Sequence, residues 1–257
     1  MMSLRTFFQE CKADGMTKYD SHFVGQTLPS KVFYRFGRFI VSGGIRAYTR
    51  MSIIGQENLP ATGAYVLSPV HRSYIDTPIS GALTTRRLRF LGKDSMWAST
   101  WFGWVLSSLG AIPVTRGSAD REAMKRAVTV LEAGEPLVLY PEGERKSGPV
   151  VQPMFDGAVY IALKAGVPII PVGIGGSERV MPKSAKFIYP RKVRVVIGEA
   201  LHPNVPVAEG SRVPRSAIAA QSAALRAELQ RLFDMSMVGV GWSYPPESPY
   251  DQNATND

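Results

Sequence analysis

His71 stands five positions before Asp76 in the run Ser68-Pro69-Val70-His71-Arg72-Ser73-Tyr74-Ile75-Asp76. On one continuous helix that spacing would put the two side chains on different faces. An imidazole in a loop and a carboxylate at the mouth of the next helix can converge. The carboxylate then accepts from one ring nitrogen, fixes the tautomer and favours the imidazolium, while the other nitrogen can take a proton from a hydroxyl. Elements able to present them so are legible on either side. Ala64-Tyr65-Val66-Leu67 reads as a strand leading into the loop, and Asp76-Thr77-Pro78 as a helix start with Asp76 as N-cap. The pair alone also fits a plain helix cap beside a surface histidine.

A second polar loop ends another apolar run, in Leu137-Val138-Leu139-Tyr140-Pro141-Glu142-Gly143-Glu144-Arg145. Here a four-residue strand stops at Pro-Glu-Gly, whose glycine permits a tight turn. Two such strands in one sheet would bring both loops to the C-terminal edge, where ligands of open α/β sheets bind. Gly110 to Gly117 contains a further short strand ending in Arg116, and Val167 to Gly173 a strand punctuated by Pro168 and Pro171.

These four blocks, in this order, resemble the glycerophospholipid acyltransferase family, which includes the 1-acylglycerol-3-phosphate acyltransferases. Its His-x4-Asp motif is matched by His71 and Asp76, and the arginine of its second block by Arg116. Its Phe-Pro-Glu-Gly-Thr-Arg-Ser block is matched at Pro141, Glu142, Gly143 and Arg145, and the proline of its fourth by Pro171. The resemblance covers about residues 50 to 200. It implies transfer of a long-chain acyl group from a thioester, acyl-CoA or acyl-acyl carrier protein, to a lysophospholipid hydroxyl, with no other cofactor and no metal. His71 would be the base and Asp76 its orienter. Arg116, Glu142, Gly143 and Arg145 would hold the acceptor and its phosphate, with Lys93 a further phosphate contact. The acceptor implied first is 1-acylglycerol-3-phosphate; glycerol 3-phosphate, a glycolipid or an amino-lipid would share the same base. Two departures bear on that choice, since Glu144 and Lys146 stand where the family has threonine and serine. A non-catalytic lipid-binding protein on the same fold is the remoter reading.

Composition narrows the partners. The chain has 257 residues, 45% hydrophobic and 20% charged, which suits one sizeable α/β domain with additions, or at most two domains. Cys11 is the only cysteine, so no intrachain disulfide forms and no thiolate metal cluster is available. No Gly-x-Ser-x-Gly elbow occurs, which argues against a serine acyl-enzyme. The net charge of +9 implies an anionic partner. With no zinc-finger spacing or RNA-binding signature, an anionic membrane surface fits better than nucleic acid. Met1 to Asp14 lacks the pattern of a signal peptide, so the expected place is the cytoplasmic face of the cell membrane.

The elements divide the chain into a basic helical extension (1–50), an α/β domain (51–242) and a mobile tail (243–257). The expected fold is a mostly parallel or mixed central sheet flanked by helices, the extension lying on the membrane. Phe33, Phe36 and Ile40 fall at helical spacing, with Arg35 and Arg38 off the stripe. That is an interfacial helix or a peripheral one packed on the core. From Ser95 to Thr115 no residue is charged. The pattern predicts a helix over Ser95 to Leu109 with Trp97, Trp101 and Trp104 on one face, against acyl chains or in the core. Trp97, Trp101 and Pro171 are the expected acyl contacts. A helix capped by Ser118 runs to Gly134, another from Phe155 to Gly166, and a long one from Pro214 to Met235. Lys186 to Tyr189 and Val193 to Ile197 read as a hairpin or a mixed-sheet extension. Their basic residues at 183, 186, 191, 192 and 194 form a second lipid-facing patch or a solvated surface.

Overall fold

The apolar runs that end in motif residues are strands covered on both faces. In the computed structural model, which describes residues 28–114, 121–182, 185, 187–207 and 211–244, β2 (Val66–Pro69) and β6 (Ile169–Gly175) are buried at every position. Continuous burial of that kind requires layers on each side of the sheet. Arg116, Ser118, Lys183 and Lys186, and the tail beyond Tyr244, lie outside the described residues.

The chain forms two compact units. One contains Arg38–Leu88 and the residues from Arg121 onward; the other contains Arg89–Asp120 and the residues up to Gly37. The larger unit carries five strands in the order β1, β7, β6, β2, β5, where β1 is Ser52–Ile54, β5 Leu137–Val138 and β7 Arg194–Ile197. All neighbours are parallel except β6 and β7. The sheet is therefore mixed, and the expected α/β architecture holds. β2 lies between β5 and β6, with Leu67 opposite both Val138 and Ile170. This register carries the two motif loops to the same sheet edge.

Around the sheet lie α2 (Asp76–Ala82), α4 (Arg121–Glu132), α5 (Gly157–Ala165), α6 (Ser177–Val180) and α7 (Arg215–Val240). α7 crosses β6 and β7 with Leu225, Leu229, Leu232 and Phe233 buried beneath it. Its approach depends on glycine. A Cβ at Gly173 would run into the Leu232 carbonyl, and one at Gly175 would lie 2.6 Å from that of Ser236.

The smaller unit pairs β3 (Arg89–Lys93) in parallel with β4 (Ala111–Val114), alongside α3 (Thr100–Ser108). Here the structure corrects the predicted helix. It begins only at Thr100, with Ser99 as N-cap, and Asp94–Trp97 is a separate 3-10 turn. The three tryptophans consequently diverge. Trp97 is buried, donates from Nε1 to Ser107 Oγ at 3.0 Å, and occupies the space left by Gly92 and Gly103. Trp101 is exposed and Trp104 packs on Phe33 at 5.2 Å.

Three other expectations change, and one pair of alternatives is resolved. Asp76 is the first residue of α2, behind Ile75, and not its cap. β2 starts two residues later than predicted, and β1 went unread because Ser-Ile-Ile is too short to show a period. Of the two readings of Lys186 to Ile197, hairpin and mixed-sheet extension, the extension holds, with β7 lying in the mixed sheet between β1 and β6. The extension does contain a helix, α1 (Leu28–Tyr48), but its stripe is shifted. Val32, Phe36, Phe39 and Ile40 face outward, whereas Phe33 turns to Trp104 and Arg38 donates to the Thr84 carbonyl at 2.9 Å. No helix among the described residues is long and apolar enough to cross a membrane.

α1 ends in a Schellman motif. Met51 N donates to Arg46 O at 2.9 Å and Arg50 N to Ala47 O at 3.2 Å. That places Arg50 at the position where glycine is favoured, and its φ is 45°. Left-handed backbone costs a non-glycine residue roughly 1–2 kcal/mol. Arg50→Gly is therefore expected to stabilise the protein by up to about 1 kcal/mol, partly offset by glycine's unfolded-state entropy. A Tm raised by roughly 2–4 °C would register it; a lower Tm would refute it.

Candidate active site

The loop after β2 is held from three sides. Val70 N continues the ladder to Val172 O at 3.0 Å, and His71 then bridges to the other motif loop. Its backbone N donates to Glu142 Oε2 at 2.9 Å, while its carbonyl accepts from Lys146 N at 2.9 Å. Within the loop, Asp76 Oδ2 accepts from Arg72 N and Ser73 N, each at 2.6 Å, and lies 3.1 Å from His71 Nδ1. Asp76 is completely buried and the imidazole 16% exposed. Because a carboxylate can only accept, the contact assigns the proton to Nδ1 and leaves Nε2 as the acceptor. The two peptide N–H groups secure the carboxylate, so it can orient the ring.

Tyr140 forms the floor. Its ring stacks on the imidazole at 4.0 Å and 24° between planes. Burial, reinforced by the charge of Asp76, pushes the Tyr140 hydroxyl well above its ordinary pKa, so the phenol stays neutral. Among the family-like residues, Gly143 has φ 70°, as its tight turn requires, and a Cβ there would lie 2.6 Å from the Phe155 ring.

Glu142 occupies a different place from the acceptor contact expected of it. It is fully buried beneath the loop, and both oxygens are engaged by protein donors. Arg72 Nη1 donates to Oε1 at 2.7 Å and to Oε2 at 2.9 Å, Gln152 N to Oε1 at 3.1 Å, and His71 N to Oε2. Arg72 is the residue sequence reading missed. Its side chain is 1% exposed, its guanidinium lies 4.9 Å from the Phe233 ring, and Nη2 reaches the Val150 carbonyl at 3.2 Å. An arginine in a polar loop carries no local sign of burial. The only signal is its partner, 70 residues away.

Arg145 keeps one donor that the described residues do not engage. Its guanidinium lies over the Tyr74 ring at 3.4 Å, and Nη1 is buried with no hydrogen-bond partner among the described residues. An unsatisfied buried guanidinium nitrogen is poised for an anionic oxygen. Glu144 is exposed and paired with Lys146 Nζ at 2.7 Å, so the two departures largely cancel in charge.

Within the larger unit, one remaining sequence candidate does not join this cluster. Pro171 sits inside β6 opposite Ser68, with its ring near Gly198, in a packing position and not an acyl contact. Lys93 ends β3 in the smaller unit, where Trp97 and Trp101 also lie. Among the described residues no group of three or more His, Cys, Asp or Glu side chains converges to hold a metal ion.

Residues 50–175 match the family model described as Acyltransferase. The 1-acyl-sn-glycerol-3-phosphate acyltransferase of Bacillus subtilis strain 168 is 28% identical over 193 residues, covering 74% of this chain and 88% of that protein. A lyso-ornithine lipid O-acyltransferase of Pseudomonas aeruginosa is 33% identical over 120 residues, 46% of each chain. Among solved structures, the 1-acyl-sn-glycerophosphate (LPA) acyltransferase of Thermotoga maritima shares the fold. It has a TM-score of 0.59 at 22% identity, over 77% of this chain and 81% of that one.

Proposed function

The chain belongs to the acyltransferase family and is an O-acyltransferase, and from that premise we propose that it acylates the free hydroxyl of 1-acylglycerol-3-phosphate to give phosphatidic acid. The observation that carries the mechanism is the contact of His71 Nδ1 with Asp76 Oδ2. Nε2 removes the hydroxyl proton as the acceptor oxygen attacks the thioester carbonyl carbon. The tetrahedral adduct collapses with cleavage of the C–S bond, and the imidazolium returns the proton to the departing thiolate. The donor is a long-chain thioester of coenzyme A or of acyl carrier protein. No covalent acyl-enzyme is needed.

Arg145 holds the acceptor's phosphate through the nitrogen left unpartnered in the protein. Charge-assisted bonds are worth about 1.5–3 kcal/mol. Arg145→Ala is accordingly expected to lower kcat/KM for a phosphate-bearing acceptor roughly 10- to 100-fold. Acceptor kinetics unchanged from wild type would remove Arg145 from the site.

A second acceptor, an amino-lipid hydroxyl, is favoured by one observation, the 33% identity to the lyso-ornithine lipid enzyme. The enzyme works peripherally at the cytoplasmic face of the membrane, a reading supported by the outward apolar stripe of α1. Thiol release from a long-chain acyl-CoA, measured against lysophosphatidic acid, lyso-ornithine lipid and glycerol 3-phosphate, tests the function. Release dependent on lysophosphatidic acid is expected. Release with another acceptor alone would move the substrate. No release with any acceptor, from acyl-CoA or acyl-acyl carrier protein, would overturn the reading.

A further inference from the structure

The chain between α6 and β7 is tied down by its backbone while its side chains point out. Tyr189 N donates to Val180 O at 2.7 Å, Arg191 N to Tyr189 O at 2.8 Å, and Val193 N to Thr49 O at 3.1 Å. Tyr48, at the end of α1, donates its hydroxyl to the Ile188 carbonyl at 2.8 Å. On this fixed frame Phe187 is 74% exposed, Ile188 49% and Tyr189 46%, beside Tyr48 at 46%. Each such side chain leaves about half or more of its apolar surface in water. Consecutive exposed apolar residues on an ordered backbone mark a contact surface.

Its charge identifies the partner. From Pro182 to Arg194 the sequence contains five lysines and arginines and no acid (Lys183, Lys186, Arg191, Lys192 and Arg194), and Arg191 and Lys192 are exposed. A second copy of the chain would bring the same positive loop and be repelled. Aromatic and aliphatic side chains beside the exposed Arg191 and Lys192 match the interface of an anionic bilayer, with rings at headgroup depth and cationic groups among phosphates. The loop also leads directly to the chemistry, because Met181 O accepts from Ser73 Oγ at 2.8 Å, inside the His71–Asp76 segment.

We propose that the Phe187–Lys192 loop is an anionic-bilayer contact, separate from the α1 stripe, that seats the His71 segment at the lipid surface. Its role in acceptor delivery rests on the proposed function; its binding to lipid does not.

The test uses the purified full chain and flotation with vesicles of phosphatidylcholine alone or mixed with an equal part of phosphatidylglycerol. Wild type is expected to prefer the anionic vesicles. Phe187→Ser/Ile188→Ser, by removing apolar insertion, and Arg191→Glu/Lys192→Glu, by removing the cations that meet lipid phosphates, should each weaken that binding by at least about tenfold. The charge-reversed variant should also lose the preference for anionic lipid. Turnover of a water-soluble short-chain acceptor should be unchanged in both. If a variant melts abnormally, an environment-sensitive label on Phe187→Cys in a Cys11→Ser background replaces it, and its emission should shift to the blue on anionic vesicles. Loop variants that bind as wild type does, while Phe36→Ser/Phe39→Ser releases the protein, would overturn the proposal. So would a label that never leaves water. Failure of the function reading would appear separately, as absence of thiol release from wild type.

Discussion

Replacing His71 by alanine is expected to reduce acyl transfer by roughly 10²–10⁴ while leaving the fold and lipid binding intact. The magnitude is that of positioned general base catalysis. The fold survives because the imidazole is not what secures the loop. Asp76 keeps the amides of Arg72 and Ser73 at 2.6 Å, and Glu142 keeps the amide of residue 71. The lost contacts are the stack on Tyr140 and one ring-to-carboxylate bond. Thiol release at saturating acceptor, read beside a thermal melt, separates the two effects. A variant retaining most of its turnover would reject His71 as the base. Asp76→Ala is a poorer probe, since it removes the loop's anchor together with the orienting group.

The second large effect is on the buried pair of Arg72 and Glu142. Glu142→Ala leaves a guanidinium that is 1% exposed without its carboxylate, and breaking such a pair typically costs about 3–5 kcal/mol. For a chain of this size that lowers Tm by on the order of ten degrees. Arg72→Met/Glu142→Leu should recover much of the stability, because apolar replacement of both members removes the desolvation penalty. Transfer activity should not recover with it. Glu142 also accepts from the amide of His71 and from Gln152, so without it the base loses its fixed distance to Asp76. A stable double variant with full turnover would show that the pair only supports the fold. A single variant with normal melting and a raised acceptor KM would return Glu142 to the acceptor contact that the family resemblance implied.

How much of this was legible beforehand follows from the range of each interaction. His71 and Asp76 converge across five residues, and the strand, loop and helix that bring them together show as local pattern. The turn at Gly143, and the glycines that end α4 and α5, depend on backbone conformations that residue type alone selects. Trp97 was misplaced because an uncharged run does not reveal where a 3-10 turn gives way to a helix; the Ser99 cap and the cavity at Gly92 and Gly103 decide that. Sequence pattern places Arg38 only off the apolar stripe and gives Arg72 no role, yet one donates to the Thr84 carbonyl and the other is sealed against Glu142. Sequence by itself thus determined the glycine turns and the convergence of His71 with Asp76, all set by residue type over a few positions. Tertiary structure alone decided which charges are buried. A charge enters the interior only where a partner meets it, and here the partner arrives through the alignment of β2 with β5.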